Sequence, residues 1–244
     1  MENYDTFDEN GVFLSSEDEY DVHYKGLWHK VIRVWLYDNE GNIYLRILKK
    51  NKKLDCINEI HMRSTESVSS AFDRGMFEKI GIHFPATSNL EQVSTKKIKI
   101  HRVYSDNSEL KDNYFLCDYI GEFDKSTNFF IFSSDTDGLL KANAKGVLNI
   151  LHNRTGEVVA YQVLPGDNES AEKTFIKIED IFNNPTEDTY QKFSTVINAI
   201  IKNAQEQERK AREEKQMQKL AERRAEEEKE FVSHADDNDG TEIY

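Results

Sequence analysis

Residues 67–80 set the terms for the rest of the chain. Val68, Ala71, Phe72 and Met76 recur there at helical spacing and form one core-facing stripe. A helix with one apolar stripe needs an apolar surface to cover, and the preceding sequence supplies strands. Residues 31–37 are rich in β-branched and aromatic side chains and read as a buried strand. Asp38-Asn39-Glu40-Gly41 turns the chain, and residues 43–48 return as the hairpin partner. On the helix, positions 75, 78 and 79 lie three and four residues apart and share one face, which holds Gly75, Glu78 and Lys79. Gly75 weakens that helix by roughly 1 kcal/mol relative to alanine.

With 244 residues the chain is long enough for one domain and an appendage. Its net charge of −13 argues against general binding to a nucleic-acid backbone or an anionic membrane. No run approaches the roughly 18 apolar residues of a membrane span. The N-terminus, Met1-Glu2-Asn3-Tyr4-Asp5, has no apolar signal core, so secretion is not expected. Two cysteines, Cys56 and Cys117, fit a reducing compartment and no disulfide framework.

Residues 60–82 resemble the Nudix box of the Nudix hydrolase superfamily. That pattern runs Gly, five residues, Glu, seven residues, Arg-Glu-aliphatic-any-Glu-Glu-any-Gly-aliphatic. Glu66, Arg74, Met76, Glu78, Gly81 and Ile82 fall on pattern positions, while Ile60, Gly75 and Lys79 replace the first glycine and two helix glutamates. A second match is similar to the isopentenyl-diphosphate isomerase-like branch: an Asp8-to-Gly11 turn, then His23 and Gly26-Leu27-Trp28-His29. The resemblance covers roughly residues 1–120 and resumes near residue 174. It implies an α/β fold with a mixed sheet flanked by helices.

It also implies what has been lost. Three carboxylates on the helix face would hold Mg²⁺, which prefers hard oxygen ligands. Gly75 removes one, Lys79 substitutes a fixed positive charge, and Glu78 alone is a poor magnesium site. Glu66, Arg74, Glu78 and Gly81 therefore read as a vestigial box. In the isomerases, histidines at the places of His23, His29 and His61 join carboxylates around a metal, and three imidazoles suit Zn²⁺ or a similar ion. Those enzymes also need a cysteine just before the Gly-His of the box and a Glu-any-Glu on a later strand. Here Glu59 and Ile60 precede His61, Cys56 lies too far upstream, and Asp112-Asn113-Tyr114 puts tyrosine at the second glutamate position. Isomerase chemistry lacks its nucleophile and at least one ligand; the alternative for the histidines is ordinary hydrogen bonding.

The remaining elements follow from composition and period. Asp8-Glu9-Asn10-Gly11 marks a small N-terminal hairpin. The basic loop 49–53 could hold phosphates or simply balance acidic neighbours. Residues 97–104 and 114–119 read as strands. About residues 124–173 read as a β-rich insertion, with a strand at 129–132 and a hairpin of 147–151 and 157–164. Residues 175–182 resemble a last strand of the domain, which is expected to span 1–183. Asn184-Pro185 starts a long helix, expected over 184–232, whose stripe of Tyr190, Phe193, Ile197, Ile200 and Ala204 should dock on its own domain or on a partner helix. Residues 205–230 hold nine Glu and eight Lys or Arg, fitting a solvated helix or a coiled coil, and 233–244 form an acidic tail.

These features lead to two expectations. The first is a catalytically inactive Nudix-like domain serving as a structural or adaptor subunit of a larger assembly, such as a ring or connector of a phage particle. It would contact other protein subunits as a homo- or hetero-oligomer, need no cofactor, and lie in the cytoplasm or within such a particle. The second is a divergent Nudix hydrolase of a nucleoside or isoprenoid diphosphate, which would require Mg²⁺.

Overall fold

The computed structural model describes residues 2–81, 83, 90–106, 108–123, 135–163, 172–182 and 186–236, with side chains described as far as residue 227. The chain divides into two units, Met1–Lys202 and Asn203–Tyr244.

The first unit opens with the expected hairpin. The Asp8 carboxylate accepts from the backbone N–H of Asn10 at 2.8 Å and of Val12 at 2.9 Å. Gly11 takes the left-handed φ of 85° that the turn requires. Strands β1 (Asn3–Phe7) and β2 (Phe13–Asp18) pair antiparallel across it. Asp18 then caps α1 (Glu19–Lys25), accepting from the Asp21 N–H at 2.9 Å.

Among the described residues the main sheet has nine strands. These are β3 (His29–Tyr37), β4 (Asn42–Leu48), β5 (Leu54–Asp55), β6 (Asn58–His61), β7 (Leu90–Val103), β8 (Glu109–Glu122), β9 (Thr136–Asn143), β10 (Glu157–Val163) and β11 (Lys173–Lys177). Their order is β11-β10-β9-β4-β3-β8-β7, with β5 beside β4 and β6 beside β3. β3 runs parallel to β8 along its whole length, and every other pair is antiparallel. On its other side β3 changes partner: Val31 to Val34 pair with β6, while Leu36 and Tyr37 pair with β4.

Alternation along β3 sends side chains to two cores. Ile32, Val34 and Leu36 meet Ala71, Phe72, Met76 and Ile80 of α2 (Val68–Ile80). Trp35 and Tyr37, with Ile43 and Leu45, form the other core with Val147 and Leu151 of α3 (Ala144–Asn153). Phe193, Val196, Ile197 and Ile200 of α5 (Glu187–Asp236) complete it, following the short α4 (Ile178–Ile181). The mixed sheet flanked by helices and the long C-terminal helix match the expectation from sequence.

Two readings need correction. Residues 147–151 are helical rather than a strand. Asn143 caps α3 by accepting from the Gly146 N–H at 3.1 Å, and Val147, Ile150 and Leu151 lie three and four residues apart on its buried side. The described part of 124–173 is not a separate β-rich excursion, since β9 lies between β4 and β10 inside the main sheet. Of the two alternatives for the stripe on α5, docking on its own domain is the one that formed. Phe193, Ile197 and Ile200 are buried in the first unit's own core, where Phe193 stacks 4.8 Å from Trp35, and Tyr190 packs partly buried against that core. Ala204 falls in the second unit. The strand read at 129–132, the helix start at Asn184-Pro185, Ile82 of the box and the tail from residue 237 lie outside the described residues.

In the second unit Glu206 pairs with Lys210 at 3.9 Å and Glu208 with Arg212, one helical turn apart, and Arg209 reaches Glu206 at 2.6 Å and Glu213 at 2.5 Å. Such exposed pairs each contribute only a few tenths of a kcal/mol.

Candidate functional site

The box residues form a brace. Arg74 donates two parallel hydrogen bonds to Glu66, at 2.9 and 2.8 Å, and a third to the His61 carbonyl at 2.9 Å. Glu66 also accepts from the Arg63 backbone N–H at 3.0 Å. Burial pushes the Glu66 pKa up, but the Arg74 hydrogen bonds and charge outweigh it and hold the carboxyl below its ordinary value. Gly81 ends α2 in the left-handed conformation, its N–H bonded to the Phe77 carbonyl. These residues tie the loop before α2 to the helix and to β6.

The face that would carry magnesium ligands is spent on other contacts. A Cβ at Gly75 would stand 2.0 Å from Asn58 Nδ2 and 2.4 Å from its Oδ1, and Asn58 is fully buried. A side chain there would have to displace the Asn58 amide. Lys79 donates to Asp135 at 2.9 Å, and Arg46 reaches the same carboxylate at 3.2 Å. Glu78 is half-exposed and lies 3.6 Å from the Arg74 guanidinium. In the basic loop, Lys52 pairs with Asp137 and Lys53 donates to the Glu179 carbonyl. Cys56 is buried and gives its S–H to the Asn58 carbonyl; burial raises its pKa, which suits an inert thiol rather than a nucleophile.

The three histidines do come together. His23 is placed by α1, His29 by the start of β3 and His61 by the end of β6, with ligand atoms all within 4.8 Å of one another. The β3–β6 register sets His61 opposite Val31, on the same face as His29. His29 Nε2 lies 3.1 Å from His61 Nδ1. On β8, Asp112 Oδ1 is 3.5 Å from both His23 Nδ1 and His29 Nε2. Tyr4 covers the group, stacked on His29 at 5.8 Å and near His61 at 5.5 Å. Tyr114 stands two residues from Asp112, its ring 6.0 Å from His29.

Electrostatics favour neutral imidazoles at His29 and His61. Burial, then the neighbouring His61, lowers the His29 pKa to about 4. Burial also lowers that of His61, against the partial opposition of Asp112. For Asp112 burial acts upward, but His23 and the other two imidazoles outweigh it and hold the carboxyl down. The His29 Nδ1 faces the Leu27 carbonyl at 3.1 Å, so a neutral ring donates there and leaves Nε2 bare toward the cluster. His23 Nδ1 and Asp112 Oδ1 are buried without a hydrogen-bond partner among the described residues. The two atoms face one another at 3.5 Å, so the pair is weakly satisfied and would gain from a cation bound between them. Three nitrogens and one oxygen fit a borderline ion such as Zn²⁺ and do not fit Mg²⁺. Among the described residues, this is the one His/Cys/Asp/Glu group close enough to share a metal ion.

Sequence reasoning named the three histidines but did not assign Asp112 a role, and it missed Tyr4, Asp135 and Asn58. A glycine inside an otherwise well-formed helix was the available signal for Asn58, because it marks close approach by another group.

No family model matches the chain, and no curated protein matches it. Several solved structures resemble its fold in part. The DR0079 protein of Deinococcus radiodurans is 14% identical, with a TM-score of 0.43, over 62% of this chain and 90% of that one. A MutT/nudix family protein from Enterococcus faecalis is 10% identical, with a TM-score of 0.38, over 70% of this chain and 61% of that one. The NUDIX domain of Shewanella oneidensis NrtR, in a complex with ADP ribose, is 12% identical, with a TM-score of 0.34, over 49% and 75%.

Proposed function

We propose that this chain is a Nudix-like scaffold that does not hydrolyse diphosphates and acts as a structural or adaptor subunit of a larger protein assembly. A ring or connector of a phage particle is the kind of assembly it would suit. The observation that carries this reading is the contact between Gly75 and Asn58. It closes the space a ligand carboxylate would need, while Lys79 commits its charge to Asp135. The brace of Glu66 and Arg74 supports the scaffold part of this reading, since it ties the loop before α2 to the helix. The test is incubation with Mg²⁺ or Mn²⁺ and a panel of nucleoside diphosphate derivatives. Phosphate release should not exceed a blank, and metal-dependent turnover abolished by Glu78→Gln would overturn the reading.

One observation favours a second reading, a divergent hydrolase of a nucleoside or isoprenoid diphosphate. His23, His29, His61 and Asp112 would hold a transition-metal ion, which would supply a Lewis acid. The chain's own contribution would be to fix that ion through His29, whose second nitrogen is anchored on the Leu27 carbonyl. Turnover that needs Zn²⁺ or Mn²⁺ and is lost in His61→Ala, but not in Glu78→Gln, would select this reading over the first.

A further inference from the structure

Beside α1 lies a cavity of about 410 Å³ lined by Glu19, Tyr20, His23, Tyr24, Glu109 and Leu110. Its volume falls within the range of small-ligand sites, roughly 300–1,000 Å³. Tyr20 and Tyr24 lie one helical turn apart with ring centroids 5.6 Å apart and planes within 8°. They are 66% and 61% exposed, so two large aromatic faces stand in water at the edge of a concave site. Two carboxylates share the lining and no Lys or Arg does. Glu109 is partnered, exposed, by Lys111 and His101 at 3.3 Å each, whereas Glu19 has no ion pair among the described residues.

We propose that this cavity binds a guanidinium group carried on an apolar stem. Two carboxylates disfavour an anion. A neutral apolar ligand would make no use of the Glu19 carboxylate in the lining. A guanidinium offers a planar face for the tyrosines, donors for the carboxylates and methylenes for Leu110. The chain builds the same arrangement elsewhere: the Arg154 guanidinium lies 3.3 Å over the Tyr190 ring while donating to Glu187 at 2.5 Å. At the α1 cavity the tyrosines and the glutamate are present and the arginine is missing. The site goes beyond the reading above; it shares His23 with the histidine cluster, so it is tested without metal.

The test uses the full chain with ring-labelled tyrosine, in EDTA. It is titrated with Nα-acetyl-arginine amide and with acetyl-Gly-Gly-Arg-Gly-Gly amide, followed by NMR. Two tyrosine rings should shift saturably, and the citrulline counterparts should shift neither. Tyr24→Ala should weaken binding about tenfold and Glu19→Gln about threefold. Tyr24→Leu, which keeps the bulk without the ring, should weaken it as Tyr24→Ala does, and circular dichroism reports that each variant is folded. A tighter pentapeptide marks a protein partner, and equal affinities mark a small guanidinium compound; both uphold the site. Citrulline probes binding as well as arginine, or unchanged affinity in both Tyr24 variants, would overturn it.

Discussion

Asn58 fills the space beside Gly75: its Nδ2 lies 2.0 Å from where a Cβ at residue 75 would stand. The missing carboxylate is thus not a surface substitution but a packing relationship between α2 and β6. Gly75→Ala should destabilise by about 1–3 kcal/mol through overpacking, although alanine is the better helix former. Asn58→Ala, which clears the space, should recover part of that loss in the double variant. Denaturant midpoints of the four proteins check the coupling, and simple additivity would show that the two residues do not meet.

Phe72→Ala should cost about 3–5 kcal/mol, because the ring is 2% exposed in the core that α2 shares with Ile32, Val34 and Leu36. Thermal unfolding measures it, and an unchanged melting temperature would mean the stripe does not face the sheet.

The histidine cluster makes stability depend on pH in a stated direction. His29 titrates at 6.5 when unfolded and near 4 when folded, so between those values the unfolded chain binds more protons. The contribution of neutral His29 is full above about pH 6.5 and is lost as pH falls toward about 4. Asp112, held below its ordinary 3.8, stays ionised across that window and does not reverse the sign. In metal-free protein, unfolding free energy should fall over this range, and His29→Gln should flatten the slope.

Zn²⁺ should raise the melting temperature of the metal-free protein and Mg²⁺ should not. Binding at 100 times Kd stabilises by about 2.7 kcal/mol. His61→Ala and Asp112→Asn should each reduce the zinc shift, while Glu78→Gln should leave it intact. An equal zinc shift in wild type and His61→Ala would place the ion elsewhere.

How much of this was legible depends on the range of the interactions. The Asp8-to-Gly11 and Asp38-to-Gly41 turns are local, and their residues specify them directly; both formed. The Phe72 stripe carries its own period. Residues 147–151 misled because a short apolar run looks alike in a strand and a helix. Their helix depends on the Asn143 cap and on a groove supplied by β9 and β10. β9 itself, Thr136–Asn143, is specified by pairing with β4, some ninety residues earlier in the chain, which no local window contains. In the candidate site the histidines were visible as residue types, but Asp112 becomes their partner only through the parallel alignment of β3 and β8, which sets His29 beside Tyr114.

If the chain is the assembly subunit proposed above, the charged segment beyond residue 204 is the part to test for the contact, and the structure decides how. The apolar stripe of Phe193, Ile197 and Ile200 is consumed inside the first unit, so variants there would unfold the domain rather than report on a partner. Residues 208–227 are exposed throughout, so deleting 205–244 should leave the core's composition untouched and shift the melting temperature little. An interface made of such charges would rest on electrostatic matching over many copies. It should weaken as salt rises, because exposed charges are screened beyond about 10 Å at 0.1 M. The deletion should therefore abolish incorporation into the native complex while the truncated protein still melts cooperatively. If the truncated protein assembles normally, residues 205–244 are dispensable and the cavity at Tyr20 and Tyr24 becomes the surface to mutate next.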